Sequence, residues 1–329
     1  MTSIIIPYYN PDGSAYVNDL LERAVKSAVG QFGKPSEYEI IIVDDGSPIP
    51  PRDIAGLAGN DNIRLIENRH TDQGTARNTG LDAASGDIVA FLDADDYYYP
   101  GMLGKCVDYM KSSGADLLSF KFAKTSDGGV FISKRHESIS FSKPSTGCGY
   151  MSRHIPFGCC WQFLISRSLL TAVNLRFPAR TYAEDEEFVT KLLFYSRKYI
   201  ISDAIAYAYC TRDGSTTSLA QYDNRANGAF DAIKNLHQFA CSLPTGNSTC
   251  IGRKISSLAT DLIRLTLRRP DWKVNMPIQT ERLRALGLWP LLPLRDNKKQ
   301  TLFALLSRNK AGMWLLHINE KRYENSTLG

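Results

Sequence analysis

The first hundred residues alternate between two hydrophobic periods. Short apolar runs at 3–6, 40–43, 63–66 and 88–92 read as strands, and the stretches between them carry apolar residues at helical spacing. In the first such stretch, 16–31, Val17, Leu20, Leu21, Ala24, Val25 and Ala28 recur every three or four residues. A short helix is expected near 52–58 and a longer one at 75–84. Strands without polar alternation are buried on both faces, so this half predicts a parallel sheet covered by helices and joined by right-handed crossovers. Pro100 opens a further helix running to about Lys111. Beyond residue 116 the rhythm breaks into short strands at 117–122, 130–133, 138–141, 163–165, 200–201 and 205–209, with one helix at 184–197, which is the pattern of a mixed sheet. From about 221 the chain reads as helices, including 226–240 and 255–268. The expected organisation is therefore α/β, with a ligand-binding half at 1–115, a mixed half at 116–218 and a helical extension at 219–329.

Composition narrows the class. The chain has 329 residues, 43% hydrophobic and 22% charged, as in ordinary globular proteins. The amino-terminal apolar run is too short and lacks the basic start of a secretory signal, and no segment approaches the length of a spanning helix. Seven cysteines without a C-x-x-C pair argue against a disulfide framework or a zinc site, and free thiols in a reducing cytosol are expected. The net charge of +5 is unevenly spread: residues 250–329 carry 15 Lys and Arg against 6 Asp and Glu, so the tail is +9 and the remainder −4. That tail has no zinc-finger, helix-turn-helix or RNP-like signature, so nucleic acid is not expected. Its basic residues are interleaved with Leu and Trp at 262–269 and 286–295, with Trp289 suited to a headgroup boundary. Two readings stay open: an anionic membrane surface bound peripherally at the cytoplasmic face, or a basic helical bundle packed on its own core.

The chemistry sits at strand ends. Val43-Asp44-Asp45-Gly46-Ser47 and Leu92-Asp93-Ala94-Asp95-Asp96 each follow a strand, and carboxyl ends of parallel strands border the crevice where such sheets bind ligands. Turn formation alone would explain one such motif. Two in register with a strand-helix repeat point instead to a hard divalent metal, Mn²⁺ or Mg²⁺, bridging the phosphates of a nucleotide substrate.

Taken with Ile4-Ile5-Ile6-Pro7-Tyr8-Tyr9-Asn10 and Gly74-Thr75-Ala76-Arg77-Asn78-Thr79-Gly80, these motifs resemble the family 2 inverting glycosyltransferases of the GT-A fold, of the bacterial surface-polysaccharide type. The resemblance covers about residues 1–215. It implies a Rossmann-like, mostly parallel sheet and a nucleotide-sugar donor, UDP-linked by expectation, with one sugar moved to a glycan or lipid-linked acceptor hydroxyl. Tyr9 beside Pro7 would stack on the base, Asp45 would accept a base N–H, and Arg77 would donate to base or phosphate. Asp95 would bind the metal directly, with Asp93 on the ribose or the metal's water shell. Asp185, in the Glu184-Asp185 pair, would be the catalytic base, with Glu184, Asp96 and Trp161 on the acceptor side. For Glu184 and Asp185 the competing reading is the preference of acidic residues for a first helical turn; for Trp161 it is a buried core tryptophan. Arg212 would fold over the diphosphate. Many members have a metal-binding His near there, and none of His70, His136, His154, His237 and His317 falls in 211–218, so Asp213 or Arg212 would have to substitute. A nucleotidyltransferase would need a Gly-rich phosphate loop near the first strand, and a dehydrogenase a G-x-G-x-x-G after one; neither is present. A nucleotide-sugar-binding protein without turnover is the non-enzymatic alternative.

Overall fold

A computed structural model of the chain describes residues 1–52, 60–126, 138–180, 182–211, 221–244, 248–293 and 297–327. In chain order the first elements are β1 (Thr2–Tyr8), α1 (Ala15–Val29), β2 (Tyr38–Asp44), β3 (Ile63–Glu67), α2 (Gln73–Ala83), β4 (Ile88–Phe91), β5 (Tyr97–Tyr98) and α3 (Met102–Ser113). They are followed by β6 (Leu117–Ser126), α4 (Gly147–Met151), β7 (Phe163–Ser166), α5 (Arg167–Ala172), α6 (Glu184–Tyr195) and β8 (Tyr199–Thr211). The helical end comprises α7 (Tyr222–Ser242), α8 (Thr249–Leu267), α9 (Trp272–Ala285), α10 (Lys298–Leu306) and α11 (Lys310–Thr327).

Eight strands form one sheet in the order β3-β2-β1-β4-β7-β6-β8-β5. The expected parallel half is present: β1 pairs in parallel with β2 and β4, and β2 with β3. Every residue of β1 and β2 is buried, which is why their sequences show no polar alternation. β7 is antiparallel to β4 and β6, so it reverses the sheet, while β6 and β8 are parallel to each other. Helix α2 lies close on β1 because Gly80 has no side chain; a Cβ there would come 2.3 Å from Ile5 Cγ2.

Several expectations are corrected. The strands expected at 200–201 and 205–209 are one, β8, whose register with β6 shifts between Ser119 and Lys121. The segment 138–141 contributes a single bridge, Phe141 to Ser202. The strand expected at 130–133 and nearly all of the helix near 52–58 lie outside the described residues. Cys148 and Cys250 form a disulfide, their Cα atoms 5.7 Å apart across 102 residues of sequence. Nothing in the cysteine spacing announces this, because the approach is made by the fold alone. Cys106, Cys159, Cys160, Cys210 and Cys241 are in no disulfide.

The chain divides into two compact units. One comprises Met1–Gly147 with Gly158–Ser215, and the other Cys148–Phe157 with Thr216–Gly329. The sheet runs through the boundary expected at 115/116 without a break, and a ten-residue excursion of the first unit's sequence belongs to the helical one. No helix among the described residues is long and apolar enough to cross a membrane.

Candidate active site

The site gathers at the carboxyl ends of β1, β2 and β4. β4 adds on the opposite side of β1 from β2, so the strand order reverses there, and ligands bind outside such a switch point. The end of β2 is locked to β1 by the Asp45 amide donating to the Tyr8 carbonyl at 2.8 Å. Asp44 is buried and accepts from the Ser47 amide at 3.2 Å and its hydroxyl at 2.5 Å. Burial, only partly offset by these bonds, raises its pKa. Gly46 has φ +80°, and a Cβ there would meet the His70 amide at 2.5 Å, so this turn admits only glycine.

Asp45 accepts from the Thr71 amide at 3.1 Å and hydroxyl at 3.0 Å, and lies 3.0 Å from His70 Nδ1. Tyr9 is 41% exposed and stacks on the His70 ring with centroids 4.2 Å apart. His70 was not singled out from the sequence, although it follows the end of β3 as Asp45 follows β2. Pro7 is buried within β1, opposite Val43.

The three aspartates after β4 part company. Asp93 is half-buried and accepts through Oδ1 from Arg77 at 3.0 Å and Gln73 at 3.2 Å. Asp95 is half-buried, and its carbonyl takes an Arg23 hydrogen bond at 2.6 Å. Asp96, expected on the acceptor side, is 1% exposed. Its amide donates to the Asp93 carbonyl at 3.0 Å, closing a turn that sends its carboxylate inward to β8. There it accepts from the Tyr207 hydroxyl and the Cys210 amide, both at 2.7 Å. Burial, then Asp95 and Asp93, push its pKa up to about 8. The Tyr207 hydroxyl also accepts from the Asp93 amide at 3.2 Å, so one tyrosine clamps both ends of the motif.

Arg77 is buried on the inner face of α2 and touches both halves of the site. Its guanidinium donates to Asp93 at 3.0 Å and to Glu184 at 2.9 Å, and lies over the Phe177 ring. The expectation that it reaches a base or phosphate gives way to a buried bridge between two carboxylates. Glu184, expected to face acceptor, is the other end of that bridge and is 5% exposed. Its neighbour Asp185 is half-buried, and burial, followed by the charges of Glu184 and Glu186, holds its pKa well above the usual carboxylate range.

The start of α6 is held in an unusual backbone. Ala183 has φ 59°, a left-handed conformation that costs about 1–3 kcal/mol outside glycine and persists where its surroundings impose it. Arg180 imposes it: its guanidinium donates to the carbonyls of Tyr182 at 3.1 Å and Ala183 at 2.7 Å and pairs with Glu187 at 2.9 Å. Sequence reasoning passed over Arg180, whose role depends on a loop shape that no periodicity encodes.

Trp161, expected against acceptor, is 5% exposed and stacks on Tyr207 with centroids 4.2 Å apart, with Phe122 edge-on at 5.0 Å. It precedes β7, an interior strand, so its ring packs into the sheet's aromatic core; the core reading is the correct one. Arg212 and Asp213 lie outside the described residues.

Among the described residues no group of three or more His, Cys, Asp or Glu is gathered to hold a metal. Asp93 and Asp95 nonetheless offer hard carboxylate oxygens two residues apart, the donor chemistry Mg²⁺ takes when one or two carboxylates are completed by substrate phosphates. The residues present fit such an ion.

Comparison with known proteins bears on the family and the fold. The family model described as glycosyl transferase family 2 matches residues 3–173. The uncharacterized glycosyltransferase EpsJ of Bacillus subtilis is 28% identical over 228 residues, 67% of this chain and 63% of its own length, so the chain spans less than two thirds of that relative. In three dimensions the chain resembles S. aureus TarS 1–349 in complex with UDP-GlcNAc, with a TM-score of 0.65 and 17% identity over 99% of this chain and 92% of that one. It also resembles the mannosyltransferase PcManGT from Pyrobaculum calidifontis in complex with GDP-Man and Mn²⁺, with a TM-score of 0.56 and 15% identity over 98% of this chain and 87% of the other.

Proposed function

The chain belongs to glycosyl transferase family 2 and has the GT-A fold, and from that premise we propose that it is an inverting transferase moving one sugar from a nucleotide sugar, UDP-linked, to a hydroxyl of a glycan or lipid-linked acceptor in surface-polysaccharide synthesis. The observation that carries the reading is the Arg77 bridge, which joins Asp93, just after β4, to the acidic start of α6 in one buried unit.

In this reading the exposed ring of Tyr9 takes the base, with Pro7 shaping the strand end beneath it. Asp45, fixed by Thr71 and His70, accepts from the base edge. A divalent ion held by Asp95 and Asp93, when bound, supplies positive charge against the diphosphate. Asp185 takes the acceptor hydroxyl's proton while that oxygen bonds to the anomeric carbon on the face opposite the leaving group. The bond from the anomeric carbon to the phosphate oxygen breaks, and the nucleoside diphosphate departs with its electron pair, inverting the configuration. A carboxylate with a raised pKa is the stronger base for this step, and the direction of the Asp185 shift supports the assignment. Arg77 and Arg180 do not touch substrate; they hold Asp93 and the α6 start in position.

Donor hydrolysis tests the proposal without knowledge of the acceptor. UDP-, GDP- and dTDP-sugars are incubated with the protein and Mn²⁺, and release of the nucleoside diphosphate is measured. Hydrolysis of a UDP-sugar supports the reading; preference for another nucleotide corrects the donor, and no hydrolysis together with no calorimetric binding of any nucleoside diphosphate overturns it.

A further inference from the structure

We propose that the hairpin of α10 and α11 is a docking surface for anionic lipid headgroups at a bilayer. Helix α10 buries Gln300, Phe303 and Ala304, spaced as one helical face, and Gln300 donates to the Thr260 hydroxyl of α8 at 3.1 Å. The opposite face carries Lys298, Lys299, Leu302 and Leu305, all exposed. In α11 Met313, Leu316 and Glu320 are buried, and Trp314 and Leu315 are each 53% exposed. Leu302 and Leu305 are 58% and 47% exposed.

Charge is sorted in the same way. Residues 297–322 contain six basic side chains, Lys298, Lys299, Arg308, Lys310, Lys321 and Arg322, and every one is exposed. None makes an ion pair with a described acidic side chain. The single acid of the segment, Glu320, is 6% exposed and turned inward, held by Arg268 at 3.0 Å and Arg264 at 3.5 Å on α8. A helical pair that merely needed solubility would intersperse both signs. Among the described side chains of 297–322 the exposed charges are all cationic and stand with exposed Leu302, Leu305, Trp314 and Leu315, the combination that lies in a headgroup layer and is attracted to anionic lipid. A second copy of the chain is the poorer occupant, since two such faces would meet with like charge.

The sequence had directed attention to 286–294 instead. There Leu291 is buried and Leu288 and Trp289 are half-buried, leaving Leu292 as the one large apolar side chain exposed among the described residues of that stretch.

The inference is independent of the reaction proposed above and is tested without it. The full chain is sedimented with vesicles of phosphatidylcholine alone and with 30% phosphatidylserine or phosphatidylglycerol, at low and high salt. Expected is binding to the anionic vesicles only, with each neutralised lysine (K298Q, K299Q, K310Q) lowering the partition coefficient about fivefold, or about 1 kcal/mol. Added salt weakens binding. The triple variant L302S/L305S/W314S lowers it at least about tenfold, and brominated lipid quenches Trp314 in the wild-type chain. All substituted side chains are exposed, and an unchanged circular dichroism melt confirms folding. Absence of binding, equal binding to neutral vesicles, or binding untouched by these variants overturns the inference. So does concentration-dependent self-association abolished by the triple variant, which would assign the face to a second copy.

Discussion

Replacing Arg77 by Met keeps the length and most of the volume of the side chain but removes the cation between Asp93 and Glu184. The Arg77 and Glu184 side chains are 3% and 7% exposed, and Asp93 is 19% exposed. Asp93 can recover hydration, so the cost concentrates on Glu184, left as a buried carboxylate with no compensating charge from α2. Breaking a buried pair from one side typically costs about 3–5 kcal/mol, and R77M is expected to lose that amount at neutral pH. The loss belongs to the stranded charge and not to missing contacts, so E184Q in the same chain should restore much of it, with a coupling of about 2–3 kcal/mol. Arg77→Lys should fall between, since one ammonium cannot span both carboxylates as the guanidinium fork does. Urea unfolding followed by tryptophan fluorescence measures the wild type, R77M, E184Q, the double variant and R77K, with Trp161 inside the same unit as reporter. A loss within the about 0–1 kcal/mol of a surface pair, or no coupling in the cycle, would refute the reasoning.

Three further outcomes follow from the same geometry. Asp185→Asn should leave donor binding intact and lower transfer by about 10²–10⁴-fold, as for loss of a general base; in the wild-type enzyme the raised pKa means that kcat/KM falls on acidification from above the usual carboxylate range, and a profile flat down to that range would contradict the assignment. Asp95→Ala should abolish the Mn²⁺-dependent part of UDP binding in calorimetry; wild-type affinity would show that the ion is held elsewhere. At the far end of the sheet, burial works to raise the pKa of Glu39, but hydrogen bonds from Ser3, Ser85 and Gly86 outweigh it and hold the pKa below its ordinary value. Its stabilisation is therefore present above the unfolded-state pKa and lost as pH falls through the folded one. Glu39→Gln should cost about 1.5–3 kcal/mol at neutral pH, shrinking as the pH drops below the ordinary glutamate range, and a pH-independent difference would refute the sign.

The parallel half was readable because its strands are buried on both faces and its helices keep one period. β8 was read as two strands because Ser202-Asp203 interrupts its apolar run. Ser202 is nonetheless fully buried, and Asp203 accepts from the Ser140 amide at 2.8 Å, so the polar pair sits in an irregular stretch of a continuous strand. The order β4-β7-β6-β8-β5 rests on pairing between distant segments, antiparallel except for the parallel β6–β8 pair, for which local periodicity carries no signal. In the site, the strand-end position of Asp45, Asp93 and Asp95 was legible. Which aspartate the turn directs inward was not, because Asp93, Asp95 and Asp96 differ only in how a turn orients them. Arg77 was expected at a base or phosphate, and only the approach of α6, about a hundred residues later, makes it an interior bridge.

The Tyr207 clamp bears on how such enzymes can be recombined. Tyr207 and Cys210 belong by sequence to the second half of the catalytic unit, yet they hold the backbone and buried carboxylate of the Asp93–Asp96 turn. A chimera spliced near residue 116, taking its donor half from this chain and the rest from a relative, would inherit a foreign strand beneath its own aspartates. A transplant that respects the clamp exchanges the segment between β6 and β8 as a cassette and leaves β8 with its native turn.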